Sequence, residues 1–183
     1  MNPTRWATPD LQSLVDLFYD DPSSLGSFSE LQTEMVPGDY RNLLAHNSHM
    51  TVTLEDYHHS EVSVQVVDFQ RTQTHYSRKI ILRRLSDNKP VLYGIVRLSL
   101  NFLPAHVQAE IEAQQTPLGR VLIKNDILRN VKLLSLWKVE AGVELAKLFD
   151  ASDVADPTWY GRTALIYCDG LPAVELLEIA KID

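Results

Sequence analysis

Arginine and glutamate side chains on otherwise apolar strand faces are the residues of this sequence with the clearest capacity for chemistry. Arg78 stands two and four residues before Ile80 and Leu82, which places all three on one face of a predicted strand. A buried charge is costly unless it is paired and hydrogen-bonded, so Arg78 marks either a structural salt bridge or a ligand site. A buried arginine makes bidentate contacts with carboxylates, which favours a small aromatic or cyclic acid as the ligand.

Three further charges have a similar strand setting. Arg97 shares a predicted face with Ile95, and Glu175 shares one with Leu177. Glu178 also lies beside apolar residues, so the two-residue period leaves open which glutamate points inward. These side chains either reach water at strand ends, pair with one another, or form an arginine–glutamate set in which a carboxyl group meets the polar end of a bound acid.

The segment 116–123 places a proline, a glycine and an arginine directly ahead of an apolar run. Pro117 has a fixed φ, and Gly119 allows close approach of another group to the backbone. The pattern predicts either a rigid turn whose N–H groups face a small anion, or a helix that begins with Thr116 as N-cap and Pro117 as its first residue. The two interpretations are compatible, because helix N-termini bind anions.

The histidines and the single cysteine are weaker candidates. His46 and His49 are three residues apart, a spacing found in metal sites, but neither cysteine nor organised carboxylates accompany them. Their polar neighbours predict solvated histidines in a surface loop and no metal. Cys168 ends a predicted strand beside an Asp-Gly turn and has no obvious base, which indicates a packed strand residue rather than a nucleophile. Phosphate-loop, dinucleotide and Gly-x-Ser-x-Gly patterns are absent from the sequence, so no cofactor is predicted.

Composition limits the class of protein. The 183 residues are 45% hydrophobic and 22% charged, as in ordinary globular domains, and the net charge is -7. An acidic chain without a basic patch is a poor candidate for nucleic-acid binding. One cysteine allows no intramolecular disulfide, and the sequence shows neither a signal peptide nor an apolar run of about 20 residues. We therefore expect a cytoplasmic protein without a membrane span.

Hydrophobic periodicity predicts an α+β fold. Strands joined by hairpins imply one antiparallel sheet, with helices packed on one face. We expect a single domain over residues 1–183, with a helical N-terminal part (1–45) and a sheet-forming core (48–179). The first helix is predicted from Thr8 to Tyr19, and short helical pieces are predicted over 25–46. Val131, Leu133, Trp137 and Val139 are predicted on one face of a strand.

Several motifs, taken in order along the chain, resemble those of the chorismate lyase (chorismate–pyruvate lyase) family. Thr116-Pro117-Leu118-Gly119-Arg120 resembles its Thr-Pro-Leu-Gly-Arg element, and His49-Met50-Thr51 resembles its Ser-Met-Thr element with histidine in place of serine. Three other motifs resemble its arginine-bearing hairpin, its Trp-Gly-Arg element and its closing hairpin with a glutamate: Arg78–Leu82 with Pro90 and Gly94, Tyr160-Gly161-Arg162, and Gly170–Leu176. The order holds over roughly residues 48 to 179, and the chain is most similar to a longer branch distinct from the short proteobacterial enzymes.

The resemblance implies a single-domain antiparallel sheet whose active site is enclosed beneath two flaps. It implies a cofactor-independent carbon–oxygen lyase that removes pyruvate from chorismate and leaves 4-hydroxybenzoate, a precursor of quinone head groups. By motif position, Arg78 would bind the ring carboxylate, with backbone amides at Met50 and Leu118 in support. Glu175 would lie near the 4-oxygen, where it would bond or move a proton.

Two further assignments follow from the same resemblance. Thr116 and Gly119 would complete the substrate-binding turn. Short members of the family carry an arginine directly after the hairpin glycine, where this sequence has Ile95. Arg97, two residues further along the same strand face, would then contact the second, pyruvyl carboxylate of the substrate.

Other functions and assemblies stay open at the level of sequence. The same fold serves as the effector-binding domain of some transcription regulators, so the chain is alternatively a non-catalytic sensor of aromatic acids. The roughly 45 residues ahead of the strands are acidic and lack a basic recognition helix, which favours the enzyme. A family enzyme with a different chorismate-derived product is a third alternative. The longer segment 124–159 predicts an extra helix over the sheet or a dimer contact, in a monomer or homodimer.

Overall fold

The fold is a seven-stranded antiparallel sheet in a computed structural model that describes residues 10–182. Thr8, the predicted start of the first helix, lies outside the described residues. The strand order is β1-β5-β6-β7-β4-β3-β2. The strands are β1 (Gly26–Leu31), β2 (Val62–Arg71), β3 (His75–Arg84), β4 (Pro90–Ser99), β5 (Arg129–Ala141), β6 (Thr158–Cys168) and β7 (Leu171–Ala180). The predicted α+β class with an antiparallel sheet is confirmed.

Within residues 10–182, six short α-helices cover both faces of the sheet rather than one. They are α1 (Leu11–Val15), α2 (Gly38–Leu44), α3 (Met50–His58), α4 (Ala105–Glu112), α5 (Leu118–Lys124) and α6 (Val143–Leu148). Helices α2 to α5 pack on one face, where buried residues of the helices contact Ile80 and Leu176. Helices α1 and α6 pack on the other face against Ile81 and Leu177. Within residues 10–182, no helix is both long and apolar enough to cross a membrane.

An edge strand replaces part of the predicted helical N-terminal region. Residues 26–31 form β1, which pairs with β5 so that Phe28 stands opposite Val139. Phe28 also packs edge-on against Trp137, with ring centroids 6.4 Å apart. Local pattern missed this strand because its stability comes from hydrogen bonds to a partner more than 100 residues away, whose edge would otherwise be unpaired.

A β-bulge in β5 overturns the predicted single face for this strand. The register against β6 shifts between Leu133 and Ser135. Val131 consequently packs in the core beneath α4 and α5, whereas Trp137 and Val139 face the opposite core. One extra residue in a strand exchanges the faces of all residues beyond it, so strict alternation fails across a bulge.

The segment 124–159 supplies the extra helix that the sequence predicted. Leu145 of α6 is fully buried, and Phe149 just after the helix packs edge-on against Trp159 at 4.7 Å between ring centroids. Lys79 of β3 donates to Glu144 at 2.7 Å, which ties α6 to the sheet. Helix α6 therefore covers the face of the sheet that lies away from the site described next.

Candidate functional site

A cavity lies between the sheet and the N-terminal ends of α3 and α5. Strands β3, β4, β6 and β7 form its floor, because alternate residues of these strands point to the same face. Its lining is mainly apolar and includes Met50, Ile80, Leu82, Val96, Leu118 and Leu176, together with the polar residues His49, Thr51, Arg78, Arg162 and Glu178. Apolar walls with a few convergent polar groups are typical of sites for small organic ligands.

Arg78 is the charged group in this cavity that lacks a counter-ion. Its side chain is among the largest fully buried ones, at 1% exposure. Nη1 donates to the Ile111 carbonyl at 3.3 Å, but Nε is buried without a hydrogen-bond partner. Among residues 10–182, no carboxylate lies within ion-pair distance of it. Burial lowers the pKa of the Arg78 guanidinium because it disfavours the charged form, and an anion beside the guanidinium would stabilise that form.

Arg162 presents the opposite case, because its donors are used by the protein. Nε donates to Glu178 Oε2 at 2.7 Å, and Nη1 and Nη2 donate to the carbonyls of His46 at 2.9 Å and Ser48 at 3.3 Å. The side chain is 1% exposed and that of Glu178 is 13% exposed. This arginine therefore holds the segment before α3 and neutralises Glu178, so Arg78 is the arginine of the cavity without a carboxylate partner among the described residues.

The N-terminal ends of α3 and α5 meet above Arg78. The first amides of each helix, at Met50 and Thr51 and at Leu118 and Gly119, have no acceptor within their own helix. A Cβ atom on Gly119 would lie 3.0 Å from Thr51 Oγ1, so glycine permits the close approach of the two helices. Met50, Leu118 and Gly119 line the cavity together with Arg78.

Thr116 has neither of the roles that the sequence predicted for it. Pro117 occupies the N-cap position of α5, with no side-chain cap, and Leu118 is the first helical residue. The carbonyl of Pro117 accepts from Val121 at 3.1 Å, so the helix starts one residue later than predicted. Pro117 lines the cavity, whereas Thr116 lies outside its lining.

His49 belongs to the cavity and not to a solvated loop. Its Nε2 is buried without a hydrogen-bond partner, and its ring lies 3.6 Å from the Cβ position of Gly119. Burial and the nearby charges of Arg129 and Arg162 lower the pKa of His49 to about 4, so the ring is neutral at pH 7. His46 is partly buried and bonded to the Leu43 carbonyl at 2.7 Å. In the described part of the chain, no cluster of three or more His, Cys, Asp or Glu residues could hold a metal.

Glu175 and Arg97 lie on the other face of the sheet, away from Arg78. They stand directly opposite each other on β7 and β4 and form an ion pair. Both side chains line a separate surface pocket with His75. The predicted positions of Glu175 near a ring oxygen and of Arg97 at a second carboxylate are therefore wrong, because odd-numbered residues of β7 and β4 point away from the cavity.

Glu178 and Arg162 are the residues that the sequence-based assignment missed. Glu178 is three residues after Glu175, and that odd spacing moves it to the face that carries Arg78. A signal was present for both, because Glu178 has apolar neighbours at i-2 and i+2 and Arg162 ends the Tyr-Gly-Arg motif. Together, these residues give the cavity one guanidinium without a carboxylate partner, two sets of helix amides and one paired carboxylate.

No family model matches the sequence, and a comparison with characterised protein sequences finds no match. Solved structures do show a similarity. A possible transcriptional regulator, YydK from Bacillus subtilis, is similar over 70% of this chain and 59% of its own, with TM-score 0.52 and 12% identity. PhnF from Mycobacterium smegmatis is similar over 73% of this chain and 64% of its own, with TM-score 0.54 and 10% identity. The chain shares their fold.

A third similar structure is shorter. The ligand-binding domain of a protein from Bordetella bronchiseptica assigned to the GntR family of transcriptional regulators is covered over 86% of its length, with TM-score 0.49 and 13% identity. In contrast, this chain spans less than two thirds of the YydK and PhnF chains. At these identities the similarity concerns the fold alone.

Proposed function

We propose that this protein binds a small organic carboxylate in the cavity, with Arg78 as the partner of the acid group. The observation that carries the proposal is a guanidinium that is 1% exposed, lines the cavity and has no carboxylate partner among the described residues. A buried unpaired charge is strongly unfavourable, so a bound anion supplies the compensation that the protein lacks. A carboxylate fits the planar fork of an arginine with two parallel hydrogen bonds.

The surroundings of Arg78 support an organic acid rather than a simple inorganic anion. Backbone amides of α3 and α5 add hydrogen-bond donors beside the guanidinium, while Ile80, Leu82 and Leu176 provide an apolar wall. The cavity has a volume of about 40 Å³. Since one water needs roughly 10–15 Å³ and a cavity of roughly 150 Å³ admits benzene, a ring enters only when the walls move outward.

A sensor role without catalysis is the leading form of this proposal. The fold is shared with a possible transcriptional regulator. The free guanidinium and the helix amides hold an acid, whereas the carboxylate in the cavity is already paired with Arg162. A binding domain needs no free acid or base, so this arrangement suffices for ligand recognition.

A chorismate lyase is the second candidate, and Glu178 is the observation that favours it. This carboxylate lies on the same face as Arg78 and lines the same cavity, as a group near the 4-oxygen of a bound ring would. Elimination of pyruvate forms an aromatic ring, which is favourable in itself. The protein would therefore need only to orient the substrate and to assist movement of a proton. Glu178 would then take the role that the motif comparison gave to Glu175.

Binding is tested by isothermal titration of the protein with benzoate and 4-hydroxybenzoate at pH 7. We expect Arg78→Gln to weaken binding by about tenfold to a hundredfold, because charge-assisted hydrogen bonds contribute about 1.5–3 kcal/mol. Arg71→Gln is the matched control, since it removes the same charge from a side chain that is 52% exposed and outside the cavity. Equal affinity in Arg78→Gln and wild type would refute the proposal.

Catalysis is tested separately by incubation with chorismate and independent quantification of 4-hydroxybenzoate and pyruvate. Equal release of both products, lost in Glu178→Gln and kept in Glu175→Gln, would establish the lyase. Glu175→Gln is the matched control because that carboxylate lies on the other face of the same strand. Arg78-dependent binding without either product would establish the sensor, and pyruvate alone would indicate a different product.

A further inference from the structure

An outer pocket adjoins the cavity and shares two lining residues with it, His49 and Val131. It lies between α3, the segment that joins α5 to β5, and the start of β5, and its volume is about 640 Å³. The inner cavity is far smaller, at about 40 Å³. His49 therefore stands at the junction of a narrow inner compartment and a wide outer one.

Arg129 is a cationic side chain of the outer pocket that, like Arg78, has no carboxylate partner among the described residues. Its Nε is buried without a hydrogen-bond partner, and Nη1 donates only to the carbonyl of Ile127 at 3.1 Å. Asp126 lines the same pocket but forms no ion pair with this arginine. Arg129 also acts electrostatically on His49, so its positive charge reaches the junction.

Apolar side chains surround the outer pocket although they are exposed. Val52, Ile123 and Leu128 line it with 42%, 38% and 74% of their surface accessible. A hydrophobic rim around a half-buried arginine suits a molecule with an apolar body and a charged end. It does not suit a free inorganic anion, which would gain nothing from the rim.

We propose that the outer pocket holds the second anionic group of an elongated acid, with Arg129 as the residue that selects it. The first carboxylate pairs with Arg78 in the inner cavity, and the body of the ligand passes His49. Arg129 is thereby a specificity-determining residue that distinguishes a dicarboxylate from a monocarboxylate. This inference rests on the proposed binding of a carboxylate at Arg78 and adds the part of the ligand that lies outside the cavity.

Three ligands that share a benzoate group distinguish the effect of the length of the tail at the 4-position from the effect of its charge. They are 4-hydroxybenzoate, 4-(carboxymethoxy)benzoate and 4-(2-hydroxyethoxy)benzoate, of which the last has a tail of equal length without charge. We expect the dicarboxylate to bind about tenfold or more tightly than the neutral-tailed acid, as for a partly exposed charge-assisted contact. Affinities are measured by isothermal titration of the full chain at pH 7 and 0.1 M salt.

Variants then test whether Arg129 causes the preference for the dicarboxylate. Arg129→Gln is expected to remove the tenfold advantage of the dicarboxylate and to leave the affinity for 4-hydroxybenzoate unchanged, which also shows that the variant is folded. Arg129→Lys keeps the charge and is expected to keep part of the advantage. Lys132→Gln, an exposed position on the same strand, controls for net charge and is expected to change nothing.

The outcomes separate this inference from the function on which it rests. If 4-hydroxybenzoate binds through Arg78 but the dicarboxylate has no advantage over the neutral tail, the inference is overturned and the carboxylate site stands. The same holds if the advantage survives in Arg129→Gln or is lost equally in Lys132→Gln. If none of the three acids binds, the proposed function and this inference are both refuted.

Discussion

Replacement of Arg162 by leucine is expected to destabilise the fold strongly while leaving the sheet intact. The substitution removes the partner of Glu178 at 2.7 Å, in a pair whose side chains are 1% and 13% exposed. It also removes the donors that hold the carbonyls of His46 and Ser48. Removal of one partner from a buried ion pair costs about 3–5 kcal/mol, because the remaining charge stays buried without compensation.

That cost is large relative to the free energy of unfolding, which is about 5–15 kcal/mol for a domain of this kind. Arg97→Leu is the matched control, since Arg97 forms an ion pair on the opposite face with side chains 24% and 17% exposed. Because water reaches that pair, its loss is expected to cost about 1–2 kcal/mol. The difference between the two variants isolates the effect of burial.

Urea unfolding at pH 7, followed by tryptophan fluorescence, measures both costs if the slope with denaturant is unchanged. The double variant Arg162→Leu/Glu178→Leu is expected to recover part of the loss, because it removes the uncompensated charge as well. A cost for Arg162→Leu below about 1 kcal/mol, or equal to that of Arg97→Leu, would refute the assignment of Arg162 as the structural counter-ion of Glu178.

Three further predictions concern packing, reactivity and pH. Gly161→Ala is expected to cost about 2–3 kcal/mol in urea unfolding, because its Cβ would lie 2.6 Å from the backbone oxygen of Glu178, whereas Gly38→Ala, with nothing within 4 Å, should be neutral or stabilising; equal effects would contradict this. Burial raises the pKa of Cys168 to about 11, so its thiol should react with an aromatic disulfide reagent at pH 7 only after unfolding; rapid reaction in the native state would contradict the burial. The pKa of His49 falls from 6.5 to about 4 on folding, so the unfolded chain binds its proton first, and stability should fall as pH falls through that window. The contribution is about 1–2 kcal/mol after allowance for its partial exposure, and His49→Asn should flatten the stability profile there by that amount; an unchanged profile would refute it.

Local sequence was sufficient to predict the antiparallel sheet and much of the cavity. Arg78 alternates with Ile80 and Leu82 on β3, which predicted that it shares an apolar face, and the structure shows that the side chain is buried there. The Pro-Leu-Gly segment and Met50 line the cavity, and the first amides of α5 after Pro117 have no acceptor within the helix. The sequence did not predict the β1 strand or the bulge in β5. Both depend on pairing with residues that are distant in the sequence.

The choice between Glu175 and Glu178 was decided by tertiary structure alone. Strand β7 lies between β4 and β6 in the centre of the sheet, and helices cover both of its faces. Residues on both faces of β7 are therefore mostly apolar, so the pattern of residue types along the strand does not distinguish one face from the other. Only the assembled sheet, with Arg162 beside one glutamate and Arg97 beside the other, determines which carboxylate faces Arg78. The sequence determined that charges lie within the sheet, and the packing of helices on both faces decided which charges share a cavity.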